Sequence, residues 1–247
     1  MKVKRLFKSI AGSFKSLTKF ELVLWLLSCA GVFLSSFAGD FGVLSLAAPL
    51  IGVTALIFIA KGDVLGQILT LIFSILYAVV SFRLRYYGEM ITYLGMTAPM
   101  AVFALISWIK NPYNRNKAEV KVNRLKKKEI VFMILLTAVI TFIFYFILAA
   151  FNTANLIPST ISVTTSFLAV YLTFRRSAFY AAAYAVNDIV LIILWIIATL
   201  TNTTYLSVVI CFVIFLINDI YGFINWSKMQ KRQETNCTIP VNNYVEF

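Results

Sequence analysis

The 247-residue chain is 61% hydrophobic and only 13% charged, with a mean hydropathy of +0.87. Soluble domains are nearer half apolar and about a quarter charged, so this composition excludes an ordinary soluble domain and indicates a polytopic membrane protein. The formal charge of +12 could indicate a nucleic-acid-binding protein. Its basic residues lie beside apolar runs, however, which favours a role in membrane topology and contact with anionic lipid over nucleic acid.

Eight apolar runs are long enough to cross a bilayer, which takes about 20 apolar residues. In chain order they cover residues 22–39, 43–60, 64–82, 90–109, 129–150, 157–174, 178–199 and 204–226. A short break, "AGDFG" at 38–42, separates the first two. If these two formed one bent element, the chain would have seven spans and its ends would lie on opposite sides.

The two ends of the chain differ from the spans. Residues 1–20 place apolar residues at helical spacing among lysines, which predicts an amphipathic helix at the membrane surface. No cleavable-signal pattern accompanies it. The tail, residues 227–247, becomes polar and loses helical periodicity after Arg232, which predicts an irregular, mobile end.

The Lys and Arg residues predict the orientation. With eight spans, all of the 22 Lys and Arg residues except Arg83 and Arg85 lie on one side of the membrane. Because short loops rich in Lys and Arg stay in the cytoplasm, we expect both termini to be cytoplasmic and the chain to lie in the inner (cytoplasmic) membrane.

Two sequence matches predict an internal repeat. "ALISWIK" (104–110) closes the fourth span and "GFINWSK" (222–228) closes the eighth, while "IGVTALI" (51–57) and "ISVTTSF" (161–167) share I-x-V-T. Residues 43–109 and 157–226 would then be parallel three-helix units, joined by a basic loop and linker span (110–150) and preceded by one extra span (22–39). Transporters of this plan bind substrate near the midplane between their repeats. The alternative is that apolar helices resemble one another by chance.

The sequence offers little enzymatic chemistry. It contains no His, no Gly-rich phosphate-binding loop and no metal-ligand cluster, so we expect no cofactor and no metal. Its three Cys are scattered and imply no disulfide framework. A membrane enzyme that uses Asp188 and Asp219 as a catalytic pair is kept as an alternative, and so is a scaffold protein that binds no small molecule.

Two Asn-Asp pairs lie inside predicted spans, Asn187-Asp188 in "VNDIV" and Asn218-Asp219 in "INDIYGFINW". A carboxylate at the bilayer centre costs at least about 2.5–3.5 kcal/mol and usually marks a functional pathway. The helical rise puts both pairs at similar depth. Since neighbours on a helix point about 100° apart, we expect one member of each pair to face a cavity and the other to tie helices together. The alternative is that all four only connect helices.

Uncharged groups in the first unit complete the candidate site. Gln67, Tyr93 and Thr97 offer hydrogen bonds and an aromatic face, which would suit a flat, polar small molecule.

Three stretches carry a family resemblance: "KGDVLGQILTLIFSILYAVVSFRLRYYGEMITYLGMTAPM" (61–100), "SWIKNP" and the ending "GFINWSKMQKR". With them, the region 40–228 resembles the PnuC family of nicotinamide riboside transporters. It implies a SWEET-like, all-α fold of 3+1+3 helices with parallel repeats. It also implies facilitated diffusion, with the substrate trapped by a cytoplasmic kinase that phosphorylates it.

The resemblance also separates the candidate residues. Asn187 matches the Asn that contacts substrate in the family pattern Trp-x-x-Trp-x-x-x-Asn, whereas Tyr180 and Ala183 stand where the two Trp are usual. Ala101 stands where the family has Gln. Tyr184 and Trp195 are the rings that could stack on the substrate instead. Asp188, Asn218 and Asp219 remain candidates for shaping the cavity.

Taken together, the sequence predicts a membrane transporter that is not an enzyme. Its substrate would be nicotinamide riboside, with thiamine or a deoxynucleoside as alternatives because of the departures from the family pattern. A homo-oligomer is left open, and ion coupling through a buried Asp is left open as well.

Overall fold

The computed structural model describes residues 12–39, 42–83, 86–113, 119–153 and 155–238. In this part of the chain, eight helices are long and apolar enough to cross a membrane. They are α1 (Lys19–Ser35, continued by a short turn to Ala38), α2 (Val43–Ala60), α3 (Val64–Arg83), α4 (Tyr87–Lys110), α5 (Lys127–Ala150), α6 (Leu156–Phe174), α7 (Tyr180–Thr199) and α8 (Leu206–Thr238). The eight predicted spans are therefore confirmed, and the first two are separate helices.

The segment that precedes α1 folds back onto the protein. Most of the predicted amphipathic helix, residues 1–11, lies outside the described residues. Next to it, the ring of Phe14 lies 5.8 Å from that of Trp25 and 4.8 Å from that of Phe58. These contacts tie the segment to α1 and α2.

A buried acid organises the start of α1. Thr18 and Glu21 form a capping box, with Glu21 N–H donating to Thr18 Oγ1 at 3.2 Å and Thr18 N–H donating to Glu21 Oε2 at 2.7 Å. This satisfies amides that the helix leaves unpaired at its first turn. Lys61 Nζ donates to the same carboxylate at 2.8 Å and Tyr221 Oη at 2.9 Å. One carboxylate therefore joins α1 to the end of α2 and to α8.

Helix α4 changes its winding in the middle. Residues Tyr93–Thr97 form a π-helical turn between two α-helical stretches. Pro99 lies two residues beyond this turn and has no N–H to donate to the carbonyl of Gly95, so a regular α-helix is disfavoured here. Such π turns are frequent at functional sites, and this one carries two of the predicted site residues, Tyr93 and Thr97.

The helices form two groups of three. Helices α2, α3 and α4 pack in sequence and are called the first unit, and α6, α7 and α8 do the same and are called the second unit. The units meet where α2 packs on α8 and where α4 packs on α6. Helix α5 packs on α6, while α1 packs on α2 and α8.

Each unit contacts the other through a buried tryptophan. Trp108, near the end of α4, donates its Nε1–H to the carbonyl of Thr173 at 2.9 Å. Trp226, in α8, donates to the carbonyl of Ile59 at 2.8 Å. Both indoles are fully buried, and their rings lie 5.5 Å apart. The two tryptophans of the matching sequences thus make equivalent hydrogen bonds, each from its own unit to the other unit.

The residues before the tryptophans repeat the arrangement. Ser107 Oγ donates to the carbonyl of Phe174 at 3.0 Å, and Asn225 Nδ2 donates to the carbonyl of Ala60 at 2.8 Å. Each of these carbonyls belongs to the last residue of a helix, where no backbone donor remains to pair with it. The small polar residue in each motif is therefore a cap for the neighbouring unit.

The turns that follow α2 and α6 also match. Gly62 and Arg176 occupy equivalent places, three residues beyond Ile59 and Thr173, and both have left-handed backbones, with φ of 69° and 56°. The I-x-V-T match of the sequence is displaced by one helical turn from this register. It therefore does not mark equivalent positions.

The segment after α4 bridges the two turns. Val120 N–H donates to the carbonyl of Gly62 at 3.0 Å, and Asn123 N–H donates to the carbonyl of Arg176 at 2.9 Å. Gln233 in α8 donates to Glu119 Oε1 at 2.8 Å and accepts from Val122 N–H at 2.8 Å. Helix α8 continues to Thr238, so the expectation of an irregular chain directly after Arg232 is wrong. Residues 239–247 lie outside the described residues.

Candidate functional site

A cavity lies between the two units, and we call it the central cavity. The lining comes from six helices: Gly52, Ala55, Leu56 and Ile59 of α2, Thr70 and Phe73 of α3, Tyr93 and Thr97 of α4, Ser166 and Val170 of α6, Tyr184, Asn187 and Asp188 of α7, and Phe212, Phe215 and Asp219 of α8.

The amide of Asn187 is held in one orientation by α6. Its Oδ1 accepts hydrogen bonds from Thr165 Oγ1 at 2.8 Å and from Ser166 Oγ at 2.9 Å. Because both partners are hydroxyl donors here, the oxygen is fixed and the NH₂ group faces away from them. Among the described residues that NH₂ group has no hydrogen-bond partner, so it can donate to an acceptor in the cavity.

Two carboxyl groups lie beside this amide. Asp188 and Asp219 are each 3% exposed, and their carboxyl groups come within hydrogen-bonding reach of each other. Oδ2 of Asp188 has no donor among the described residues. Two adjacent carboxylates repel strongly at low dielectric, so a proton shared between them or a positive charge from elsewhere is required.

Aromatic rings form part of the wall of the central cavity. Phe73 lies 5.9 Å from Tyr93 and 6.0 Å from Phe215, in edge-to-face arrangements. Gly52 makes room for them, because a Cβ at this position would come within 2.9 Å of Phe215 and 3.1 Å of Phe73. The absent side chain in α2 thus allows the rings to approach and close over the cavity.

The two sides of the central cavity are closed differently. Toward the start of α2 and α8 lies a second cavity, and Phe73, Phe212 and Phe215 line both this cavity and the central one. Toward the basic ends of the helices lie the buried Trp108 and Trp226 and the bridging segment around Val120. The structure is therefore closed by hydrogen bonds on its basic side and by apolar rings on the other.

The comparisons with known proteins agree on one family. Residues 42–228 match the family model described as nicotinamide mononucleotide transporter. This chain belongs to that family. It is a family of transporters rather than enzymes, and the protein is a multi-pass membrane protein.

Two relatives carry a more specific name. The chain is 30% identical to the nicotinamide riboside transporter PnuC of Neisseria mucosa over 221 residues, covering 87% of this chain and 83% of that protein. It is 26% identical to the nicotinamide riboside transporter PnuC of Haemophilus influenzae over 191 residues, covering 76% and 81%. A crystal structure of the vitamin B3 transporter PnuC superposes with a TM-score of 0.77 at 27% identity, covering 88% of this chain and 94% of that one.

The structure brings together six of the residues that the sequence singled out as site candidates. Asn187, Asp188, Tyr184, Asp219, Tyr93 and Thr97 all line the central cavity. For the first Asn-Asp pair this differs from the expectation that only one member would face it. Helix α7 packs between α6 and α8, so the cavity extends around it and reaches side chains on two faces.

Three other candidates lie elsewhere. Asn218 donates to Ser28 Oγ at 2.9 Å and so ties α8 to α1. The ring of Trp195 lies 5.0 Å from that of Tyr86, away from the central cavity. Gln67 is buried at 1% exposure in α3 and does not line the cavity.

Sequence reasoning missed the residues that support the amide and the rings that close the cavity. Thr165 and Ser166 follow the I-x-V-T match directly, and hydroxyl residues in an apolar span were a signal that they bond across helices. Phe73, Phe212 and Phe215 carried no such signal, because the chain holds 22 Phe residues. Only their convergence in space distinguishes them.

Proposed function

We propose that this protein transports nicotinamide riboside across the membrane by facilitated diffusion through the central cavity. The observation that carries the proposal is the fixed amide of Asn187, whose NH₂ group is free to donate beside aromatic rings. Nicotinamide riboside offers a carboxamide, ribose hydroxyls and a flat ring, which such a site can bind by hydrogen bonds and stacking.

Charge favours the riboside over the mononucleotide. Phosphate groups are bound in proteins by Arg, Lys or helix N-termini. The lining of the central cavity offers no Lys or Arg among the described residues and instead presents two Asp. A phosphate would meet like charge there at short range, which is costly in a low-dielectric site.

The transport path would run from the side of the central cavity with the three Phe rings to the side with the Trp hydrogen bonds. The basic side, which we assign to the cytoplasm of the inner membrane by its Lys and Arg content, is the side closed by hydrogen bonds. Substrate would reach the central cavity from the second cavity after the three Phe rings move, and would leave when the Trp contacts separate. The matching Trp contacts support two parallel repeats, 43–109 and 157–226, that move against each other.

Release would be made irreversible by chemistry in the cytoplasm. A cytoplasmic kinase that phosphorylates the riboside would add a charge that this cavity does not accept, so the product would be trapped. The transporter itself would need no energy source in this scheme.

Two measurements test the proposal. In a thermal-shift panel of nucleosides and vitamins on purified protein, we expect nicotinamide riboside to stabilise the protein, and the mononucleotide, thiamine and deoxynucleosides to do so much less. In liposomes, we expect uptake of the riboside down its own gradient at equal pH and equal salt on both sides. Uptake that requires a proton or sodium gradient would refute facilitated diffusion, and stabilisation by thiamine alone would refute the substrate.

A further inference from the structure

We infer that Asp188 and Asp219 form the counter-charge for a substrate that carries a fixed positive charge, and that this pair selects cationic over neutral ligands. The inference rests on the proposed function, since it concerns the same cavity. It adds which residues distinguish a charged ligand from a neutral one, which the neutral amide of Asn187 cannot do.

Phenols lie near the two carboxyls, namely those of Tyr93, Tyr180 and Tyr184. A phenol can donate a hydrogen bond but supplies no positive charge. No Lys or Arg lines the cavity within the described residues, so the protein leaves the pair without a cationic partner.

Two carboxyls within hydrogen-bonding reach of each other share a single proton more readily than they both ionise. Such a pair holds one proton and one negative charge. That charge is buried, and Oδ2 of Asp188 has no donor among the described residues. A buried charge without a partner is strongly destabilising, and a cation in the cavity would remove this cost.

Phe73, Phe215 and Tyr93 border the same cavity as the two carboxyls. An aromatic face attracts a cation by about 0.5–2 kcal/mol, more when water is excluded. A flat ring with a quaternary nitrogen, such as the pyridinium of nicotinamide riboside, can contact the rings with its faces and the carboxylate with its charge. A compact inorganic cation would use only the carboxylates.

The experiment compares two ligands that differ in ring charge. Nicotinamide riboside in its oxidised form carries the pyridinium charge, while its dihydro form has the same amide and ribose and a neutral ring. Both would be titrated into purified wild-type protein in detergent by calorimetry. We expect the oxidised form to bind at least tenfold more tightly than the dihydro form.

The variants locate the effect. The double variant Asp188→Asn/Asp219→Asn keeps the size of both side chains and removes the negative charge of the pair, and we expect it to lower the preference to threefold or less by weakening the oxidised form. Glu89→Gln is the matched control, because Glu89 is a buried carboxyl of α4 that does not line the cavity. We expect it to keep the wild-type preference.

The outcomes are separable. Equal affinity of wild-type protein for the two forms refutes the inference without any variant and leaves the proposed function standing. Binding of neither form refutes the proposed function itself. Equal binding of both forms that requires sodium in the buffer would assign the pair to an inorganic cation and also refute the inference.

Discussion

The two three-helix units share a scaffold and differ in chemistry. At the basic ends, Trp108 and Trp226 make the same hydrogen bond to the opposite unit. Farther in, Phe73 of α3 lies as many residues after Gly62 as Asn187 of α7 lies after Arg176. Both line the central cavity. The contacts that hold the units together are thus repeated, while the groups that could bind a ligand are not.

The same contrast holds for the acids. Ser74 follows Phe73 in the first unit, as Asp188 follows Asn187 in the second. Ala101 precedes Trp108 by as many residues as Asp219 precedes Trp226. The second unit therefore places an amide and two carboxyls where the first has a ring, a hydroxyl and a methyl group. Scaffold contacts must fit on both sides for the units to assemble, whereas a small asymmetric ligand needs each polar group only once.

The largest effect should come from breaking the shared scaffold. Trp108→Ala and Trp226→Ala each remove a fully buried indole and its hydrogen bond, at an expected cost of about 3–5 kcal/mol. If the contacts are equivalent, thermal unfolding in detergent should show similar losses for both. Replacement of either Trp by Phe, which keeps a ring, should cost much less. A large loss at one position alone would contradict the equivalence.

The next effect tests the asymmetry inside. Asn187→Ala removes the fixed amide and should weaken riboside binding about tenfold or more, which corresponds to about 1.4 kcal/mol. Its control is Asn218→Ala in the other Asn-Asp pair, because Asn218 bonds to Ser28 of α1. That variant should lower the unfolding temperature and leave the dissociation constant unchanged in calorimetry. The opposite pattern would assign the binding role to the wrong Asn.

A smaller effect distinguishes the two turns. Gly62→Ala puts a side chain on a left-handed backbone, with Met229 and Val120 at 3.2 and 3.3 Å from the new Cβ, and should destabilise the fold by about 1–2 kcal/mol. Arg176→Gly relieves the same backbone but loses two hydrogen bonds to Ser107 at 3.2 Å. We expect a change of about 1 kcal/mol or less by thermal unfolding. Equal destabilisation would mean that the backbone conformation does not matter.

The smallest effect concerns the support of Asn187. Ser166→Ala removes one of two hydrogen bonds to its Oδ1, and a single hydrogen bond contributes about 0.5–1.5 kcal/mol. We therefore expect riboside affinity to fall about twofold to tenfold. Thr160→Val is the control, because the Thr160 hydroxyl donates to the carbonyl of Leu156 within its own helix. Unchanged affinity in Ser166→Ala would show that Thr165 alone orients the amide.

Apolar run length and the Lys and Arg distribution predicted eight spans, and the structure has eight helices of that kind in its described residues. These features are local, because a span must be about 20 apolar residues long wherever it lies in the fold. The motif ending in Trp-x-Lys was also visible, since the two tryptophans repeat a contact and therefore repeat a sequence. The I-x-V-T match failed because four shared letters in apolar helices need not share a register.

What the sequence by itself determined was the class of protein, its spans and the polar residues that are costly in a membrane. Which of those residues share a cavity was decided only by the tertiary structure. Asn218 and Asp219 are adjacent in the chain, yet one bonds to α1 and the other lines the cavity. The 100° between neighbours on a helix sends them to different partners, and only the packing of the other helices determines what each direction meets.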